Sequence, residues 1–356
     1  MFPSHADEIT ADWLTGALAV RHPGTAVDSA EPEDTRPGTG TKLFLRLGYR
    51  DNPAGLPDAV VVKSGLIPRD PDEFNIAWEA MTRHLNAAEA RFYRDFADAT
   101  GAEVPACYFA GLDPDTGRSA IILEDLAGAG CSFGAYDHPL KPDTAAAVLS
   151  DLARLHAHNW ADPILDGPTL LDPLVENQGL LHHFISERNW AEQMARPRAA
   201  AIPEPLRDRE RMVTAIHAMW DRQFTPPLTT LHGDPHIGNL YFRPNGTPGL
   251  LDWQVFSRGI WATDIAYFLT GALDTEVRRG HEHELLRHYL AELAARGGPA
   301  IGFDEAWTAY RQRMFHGFMN ILTPPDGSQT EEYDATMSGR FAAAIYDLDS
   351  FGALGL

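Results

Sequence analysis

The sequence predicts an α+β protein with a small β-rich N-terminal domain and a larger, mainly helical C-terminal domain. Strand-like apolar runs crowd the first part of the chain, and apolar residues at helical spacing dominate from Thr144 onward. A length of 356 residues suffices for about two domains of roughly 150 residues each. The composition, 44% hydrophobic and 22% charged, is typical of a globular protein. We place the domain boundary between 1–125 and 126–356, at the segment LEDLAGAG.

The first domain is expected to contain an opening amphipathic helix, four strands and one long helix. Ile9, Trp13 and Leu18 have the spacing of one helical face. The strand-like runs LFLRLGY and AVVVKSG flank a turn rich in Asn, Pro and Gly, and the runs CYFAGLD and SAIILEDL flank a second turn at 113–117. The long helix, from about residue 72 to 99, separates these two strand pairs.

In the second domain, one strand pair interrupts the helical patterns. Its segments are LHGDPHIGNLYF and GLLDWQVF, joined by the turn RPNGTP, while proline-rich joints at 162–173 and 195–205 divide the helices. A hairpin of this length brings Asn239 near Asp252, and Asp234 lies just before it. Carboxylate and amide oxygens suit Mg²⁺, and a carboxylate that binds no metal can orient or deprotonate a hydroxyl.

A lysine and a glutamate are predicted to pair in the first domain. Lys63 lies in the valine-rich strand AVVVKSG, and lysine is rarely buried unless it is paired. The helical stripe of Trp78, Met81, Leu85, Glu89, Phe92 and Phe96 contains one charged residue, Glu89. A carboxylate in an apolar stripe needs a cation, and Lys63 is the natural one. A lysine fixed in this way can contact phosphates.

The segment RPGTGTK is a further candidate phosphate contact. Gly38 and Gly40 would let backbone N–H groups approach phosphate oxygens. By itself this segment is more typical of an ordinary turn.

Taken in chain order, these residues resemble a known family. The strand lysine, the helix glutamate, LEDL, HGDPHIGN and LLDWQ together resemble the aminoglycoside phosphotransferase and choline kinase superfamily, over about residues 35–269. The segments NAAEARFYRDF and LARLHAHNW, with Gln254 after Asp252–Trp253, resemble its ecdysteroid-kinase-like (CHK-kinase-like) branch. The resemblance implies a protein-kinase-like bilobal fold, with ATP or GTP and Mg²⁺ used to phosphorylate a hydroxyl group.

The resemblance also assigns roles to single residues. The resemblance implies that Lys63 contacts the α- and β-phosphates of the nucleotide and that Glu89 holds Lys63 in place. The hinge residues Glu124, Asp125 and Leu126 are implied to lie beside the adenine, and Gly38 and Gly40 are candidate phosphate contacts. Those implied to act in catalysis are Asp234 as base, Asn239 and Asp252 as Mg²⁺ ligands, and His232 and Asp264 as supports of the catalytic loop. Asp264 is equally well placed to cap a helix.

The acceptor is expected to be a small hydroxylated molecule rather than a protein, since no activation loop ending in APE is present. The branch resemblance favours an apolar or natural-product-like acceptor, and an aminoglycoside or amine alcohol is the alternative. Four tryptophans, Trp160, Trp190, Trp253 and Trp261, are candidates to line an apolar pocket, although core packing is the more common role. Two other classes stay open: a metal-dependent hydrolase using His232, Asp234 and His236, and a noncatalytic kinase-like binding protein.

Charge and composition exclude other partners. The formal charge of −21 disfavours binding to nucleic acid or to anionic lipid. Two cysteines, Cys107 and Cys131, cannot form a disulfide framework, and neither a signal peptide nor an apolar run of about 18 residues is recognisable. We therefore expect a soluble cytoplasmic protein, whose oligomeric state the sequence leaves open.

Overall fold

The predicted α+β organisation is confirmed in the computed structural model, which describes residues 2–166, 182–322 and 329–356. The chain divides into two compact units. The first contains Met1–Ser132 together with two later segments, Arg243–Asn245 and Leu251–Val255, and the second contains the rest of the chain. No helix of the described residues is long and apolar enough to cross a membrane.

An antiparallel sheet forms the first unit, in the strand order β1-β2-β3-β5-β4. Its elements are β1 (Ala26–Arg36), β2 (Thr41–Asp51), β3 (Ala59–Ser64), β4 (Cys107–Leu112), β5 (Ser119–Glu124), α1 (Ala11–Ala19), α2 (Glu73–Arg91) and α3 (Ala97–Thr100). The four predicted strands and the opening helix are present. The additional strand, β1, has mostly exposed polar residues and contains Pro32, as edge strands often do, so it carries no apolar alternation.

Helix α2 differs in part from the predicted stripe. It begins after Asp72, which caps Asn75 N, and its second half buries Leu85 and Glu89 as expected. Met81, however, is 41% exposed. In the first half the buried positions are Glu79 and Thr82, both polar, and Asn86 adds a third polar buried position after Leu85. A periodicity of apolar residues cannot report a polar buried face.

The second unit is mainly helical. Its elements are α4 (Pro142–His158), α5 (Glu187–Met194), α6 (Arg209–Trp220), α7 (Ala262–Ala272), α8 (Thr275–Ala295), α9 (Phe303–Arg311), α10 (Met314–Leu322), α11 (Glu331–Asp347), α12 (Ser350–Leu354), β7 (Thr229–Leu231), β8 (Leu240–Phe242), β9 (Pro248–Leu250) and β10 (Ser257–Gly259). A two-residue strand, β6 (Ser132–Phe133), precedes them. Helix α7 is buried along its whole length, as expected of a central helix.

The predicted strand pair is present as the hairpin β8–β9. Each strand has only three residues, because HGDPHIGN forms a loop and a 3₁₀ turn at Ile237–Asn239 before β8 begins. The proline-rich joint at 195–205 forms two 3₁₀ turns, Pro197–Ala201 and Glu204–Leu206. The joint at 162–173 lies partly outside the described residues.

Candidate active site

The predicted pair of Lys63 and Glu89 is present in the first unit. Strand β3 places the Lys63 side chain inside, where it is 4% exposed, and Nζ lies 2.7 Å from Glu89 Oε2 and 2.9 Å from Asp252 Oδ1. Burial opposes the charged form of Lys63, but the two carboxylates outweigh it and raise the pKa of this amine. Burial likewise raises the pKa of Glu89, against the effect of Lys63. Lys63 is therefore a rigidly held cation.

Asp252 reaches Lys63 through a strained turn. Its φ of +66° lies in the left-handed region, which aspartate tolerates better than most residues do. The amide of Gln254 donates to Asp252 Oδ1 at 3.0 Å, because an ionised carboxylate only accepts, and the oxygen of the same amide accepts from Gly40 N–H at 3.3 Å. The glutamine after Asp252–Trp253 thus joins the Asp252 carboxylate to the glycine turn.

The segment that carries Asp252 is held by the end of α2. The Trp253 ring stacks on Phe92, with centroids 3.6 Å apart and planes 7° apart, and Trp253 N–H donates to Glu89 Oε1 at 3.3 Å. Trp253 is fully buried in the first unit, and Trp190 and Trp261 are buried in the second. These three tryptophans are core residues, as core packing, the more common role, predicts.

The two glycines of RPGTGTK differ in their surroundings. A Cβ on Gly40 would lie 2.4 Å from Asn86 Oδ1 and 3.0 Å from Lys63 Cε, so a side chain there would displace these two residues. A Cβ on Gly38 would meet only the carbonyl oxygen of Gly40, at an ordinary 3.5 Å. Close approach to the lysine therefore distinguishes Gly40 from Gly38.

The residues assigned to the hinge follow β5. Arg243, which sequence reasoning missed, lies 2.5 Å from Glu124 Oε1 and 2.8 Å from Glu103 Oε1. Asp125 Oδ1 accepts from the N–H groups of residues 127 and 128 at 3.1 Å, which fixes the turn, and Leu126 is buried. The Glu124 and Asp125 side chains thus hold the backbone in place.

In the second unit, Asp264 supports the loop before β8. This carboxylate, in the first turn of α7, is fully buried and accepts from His232 N–H at 2.7 Å and from Gly233 N–H at 2.9 Å. His156 Nε2 lies 3.2 Å away, and its Nδ1 lies 2.8 Å from the Tyr289 hydroxyl. Burial would raise the pKa of Asp264, but the hydrogen bonds and the nearby histidines hold it below its usual range.

Asp234 and Asn239 contact each other across the loop. Asn239 Nδ2 donates to Asp234 O at 2.9 Å and to Asp234 Oδ2 at 3.1 Å, while the Asp234 side chain remains 34% exposed. The structure therefore presents an oriented carboxylate that a ligand can still reach. Of the residues assigned by resemblance, Asp234, Asn239, His232 and Asp264 lie in the second unit, and Lys63, Glu89 and Asp252 lie in the first.

Sequence reasoning missed the aromatic surroundings of this loop. Burial raises the pKa of Tyr267, and the adjacent Asp234 carboxylate raises it further. The Tyr267 ring lies edge-on to His316, with centroids 5.5 Å apart, and burial lowers the pKa of His316. Tyr267 lies three residues after Asp264 on the same helix, and this helical spacing was the only signal that could have found it.

The histidines of the alternative metal site do not converge. His232 Nδ1 accepts from Asp234 N–H at 3.2 Å, and His236 Nδ1 accepts from Gly238 N–H at 3.0 Å. Each ring thus uses one nitrogen to shape the loop. Among residues 2–166, 182–322 and 329–356, no group of three or more His, Cys, Asp or Glu is arranged to hold a metal ion. This geometry gives the metal-hydrolase alternative no support.

Replacing Asp264 with asparagine is expected to destabilise the protein. An asparagine side chain has one acceptor oxygen and no charge, so it cannot hold both loop amides as the carboxylate does. We expect the free energy of unfolding at pH 7 to fall by about 3 kcal/mol. Because the pKa of Asp264 is lowered in the folded state, this contribution is present above the unfolded pKa of about 3.9 and is lost as the pH falls through the folded value. Urea denaturation at pH 7 and at pH values below about 3.9 measures both effects.

The control for this variant is Asp137→Asn, the same change at a side chain that is 57% exposed. Equal unfolding midpoints for Asp264→Asn and the wild type at pH 7 would contradict the assigned support.

Known protein families and curated proteins include relatives of this chain. A model of the phosphotransferase enzyme family, abbreviated APH, matches residues 49–309. A curated relative from Caenorhabditis elegans, the uncharacterized oxidoreductase dhs-27, is 23% identical over 283 residues, which cover 70% of this chain and 34% of that protein. The chain therefore spans about a third of the length of the curated relative that it matches.

Two solved structures share the fold. A spectinomycin phosphotransferase in complex with ADP and spectinomycin is 13% identical with a TM-score of 0.51, over 96% of this chain and 99% of that one. A choline kinase from Cryptosporidium parvum Iowa II is 13% identical with a TM-score of 0.52, over 96% of this chain and 97% of that one. At these identities the likeness is one of fold.

Proposed function

This chain belongs to the phosphotransferase enzyme family, and we propose that it transfers the γ-phosphate of ATP or GTP to a hydroxyl group of a small molecule. Its resemblance to the aminoglycoside phosphotransferase and choline kinase superfamily is thereby confirmed, and the ecdysteroid-kinase-like branch stays a prediction. The observation that carries the proposal is the buried Lys63 between Glu89 and Asp252, beside a turn at Gly40 where a side chain would displace Asn86 and Lys63.

In the first unit, Lys63 would neutralise nucleotide phosphates while Glu89 holds its ammonium group in place. Phosphoryl transfer depends on such positioning and charge stabilisation. The backbone at Glu124, Asp125 and Leu126 would contact the adenine, with Arg243 keeping the Glu124 side chain fixed. The close approach of Gly40 to Lys63 favours N–H contacts from this turn to the same phosphates.

Asp252 and Asn239 are the proposed ligands of Mg²⁺. Carboxylate and amide oxygens are ligands that this ion prefers, and Asp252 and Asn239 each carry one such group. Asn239 uses its Nδ2 on Asp234, so the oxygen of the same amide is the atom left for a cation. The ion would neutralise charge on the phosphates when bound.

Asp234 is the proposed base. Its carboxylate would accept the proton of the acceptor hydroxyl or orient that hydroxyl. Asn239 fixes the side chain from one side, and Asp264 fixes the backbone before it through His232 and Gly233. A base held in this way needs little rearrangement when the acceptor binds.

We favour an apolar hydroxylated acceptor over an aminoglycoside or amine alcohol. Burial raises the pKa of two phenols, Tyr267 and Tyr333, and the Asp234 carboxylate raises the pKa of both further. Two carboxylates beside Tyr333, Glu331 and Asp334, both pair with Arg198, so an ammonium group would compete with an arginine for them. Spectinomycin and choline, for which the two solved structures are named, are test substrates rather than assignments.

Calorimetric titration with ATP and with GTP, each with and without Mg²⁺, tests the nucleotide site. We expect Mg²⁺-dependent binding of at least one nucleotide. Release of ADP or GDP would then be measured with a panel of sterols, polyketides, aminoglycosides and amine alcohols. Failure of both nucleotides to bind would overturn the kinase proposal in favour of a noncatalytic binding protein.

We also propose that the protein acts in the cytoplasm. Both cysteines, Cys107 and Cys131, are free, as is usual in a reducing compartment.

A further inference from the structure

Lysine is scarce in this chain. Of its 29 Lys and Arg residues only three are lysines, namely Lys42, Lys63 and Lys141. Two of the three, Lys42 on β2 and Lys63 on β3, are directly paired in the antiparallel register. Residues opposite each other in such a pair project from the same face of the sheet. A chain that otherwise uses arginine therefore places two lysines side by side.

Both lysines point to Asp252, one toward each carboxylate oxygen. Lys63 Nζ lies 2.9 Å from Oδ1, and Lys42 Nζ lies 3.9 Å from Oδ2. Their exposure differs, since the Lys63 side chain is 4% exposed and that of Lys42 is 39% exposed. Lys63 is thus buried, whereas Lys42 lies close to the same carboxylate and is exposed enough to contact a ligand.

The glycine turn at Gly40 lies close to Lys42 along the chain. Lys42 follows Gly40 by two residues, and Gly40 approaches the Lys63 side chain closely. The N–H of Gly40 already points to the amide that contacts Asp252. The Gly40 turn and both lysines therefore lie close to the Asp252 carboxylate.

The balance of charges around Asp252 indicates which kind of ligand these groups would bind. Glu89 and Asp252 supply two negative charges, which match the two ammonium groups. If Asp252 turns to a metal ion, the lysines lose half of this compensation and an anion must replace it. Lysine is a strong phosphate binder as a point charge, whereas arginine is suited to forked planar contacts.

We propose that Lys42 is a second phosphate-binding residue, which contacts the nucleotide phosphates beyond the α-phosphate together with Lys63. This inference rests on the proposed function, because it needs a nucleotide at the Lys63 site. Lys42 would then make the affinity for a nucleotide depend on its number of phosphates.

The test compares Kd values of ATP, ADP and AMP, each with Mg²⁺, for Lys42→Met, Lys42→Arg and the wild type. Methionine keeps the aliphatic length of the side chain and removes the charge. We expect Lys42→Met to weaken ATP about tenfold and AMP by less than about twofold, with ADP weakened by an amount between the two. Arginine should restore ATP affinity to within about threefold of the wild type. Lys141→Met, at the third lysine, is the matched control and should change none of these values.

Three outcomes would overturn the inference: unchanged ATP affinity in Lys42→Met, equal weakening of ATP and AMP, or an equal loss in Lys141→Met. Equal weakening of ATP and AMP would place the effect in the structure of the sheet rather than on phosphates. A wild-type protein that binds no nucleotide is a different result, since it refutes the proposed function itself. Thermal unfolding of Lys42→Met within about 2 °C of the wild type would confirm that the sheet is intact.

Discussion

Asp234→Asn is expected to lower kcat by about 10² to 10⁴-fold while leaving the Kd of Mg-nucleotide within about twofold. Asparagine keeps the shape of the side chain and can present its oxygen to Asn239 Nδ2, which lies 3.1 Å from Oδ2 in the wild type. It cannot take the proton of an acceptor hydroxyl. The separation of kcat from nucleotide affinity is therefore the signature of a base in the second unit.

Steady-state rates with the best acceptor of the panel, together with calorimetry, measure this separation. Asp137→Asn is the control, because it makes the same change on an exposed side chain of the same unit. Normal turnover in Asp234→Asn would remove the base assignment. If Asp234→Asn weakened nucleotide binding but turned over the bound nucleotide at the normal rate, Asp234 would instead be a nucleotide-binding residue.

Asp252→Asn is expected to abolish the dependence of nucleotide binding on Mg²⁺. Asparagine adopts left-handed backbone conformations readily, so the φ of +66° can persist, whereas alanine would be strained there. Glu89 still holds Lys63 at 2.7 Å, so the lysine keeps one carboxylate. We expect about a 10- to 100-fold loss of affinity for ATP in the presence of Mg²⁺, and a much smaller change without it.

The readout is the ratio of the two Kd values, with and without Mg²⁺. Asp98→Asn, at a carboxylate that is 84% exposed in the first unit, is the matched control, since its surface ion pair with Arg21 contributes little. A ratio in Asp252→Asn equal to that of the wild type would exclude Asp252 as a metal ligand.

Several parts of this arrangement followed from local sequence. The valine-rich strand around Lys63 and the single carboxylate at Glu89 in an apolar stripe predicted the ion pair, because a buried charge requires an opposite charge. The pattern of strand-like apolar runs beside turns predicted β2, β3, β4 and β5. It could not predict β1, whose exposed polar residues leave no periodicity, or the polar burial of Glu79 and Asn86 in α2.

Other parts depended on contacts between distant segments. Arg243 lies 119 residues from Glu124, and Asp252 lies 189 residues from Lys63, so no local pattern connects them. The same holds for Lys42, whose role depends on the register of β2 against β3. The roles of Asp234, Asn239 and Asp252 remain predictions that the variants above address.

The sequence by itself determined the family, the β-rich and helical halves, and the residue types capable of chemistry, since these depend on short motifs and on periodicity. Only the tertiary structure decided that Leu251–Val255 packs with the first unit, although the chain reaches this segment long after that unit's main part ends at Ser132. The stacking of Trp253 on Phe92 and the ion pair of Asp252 with Lys63 hold this segment in the first unit. Burial of an aromatic ring and pairing of a buried charge act through space, and a linear pattern records neither partner.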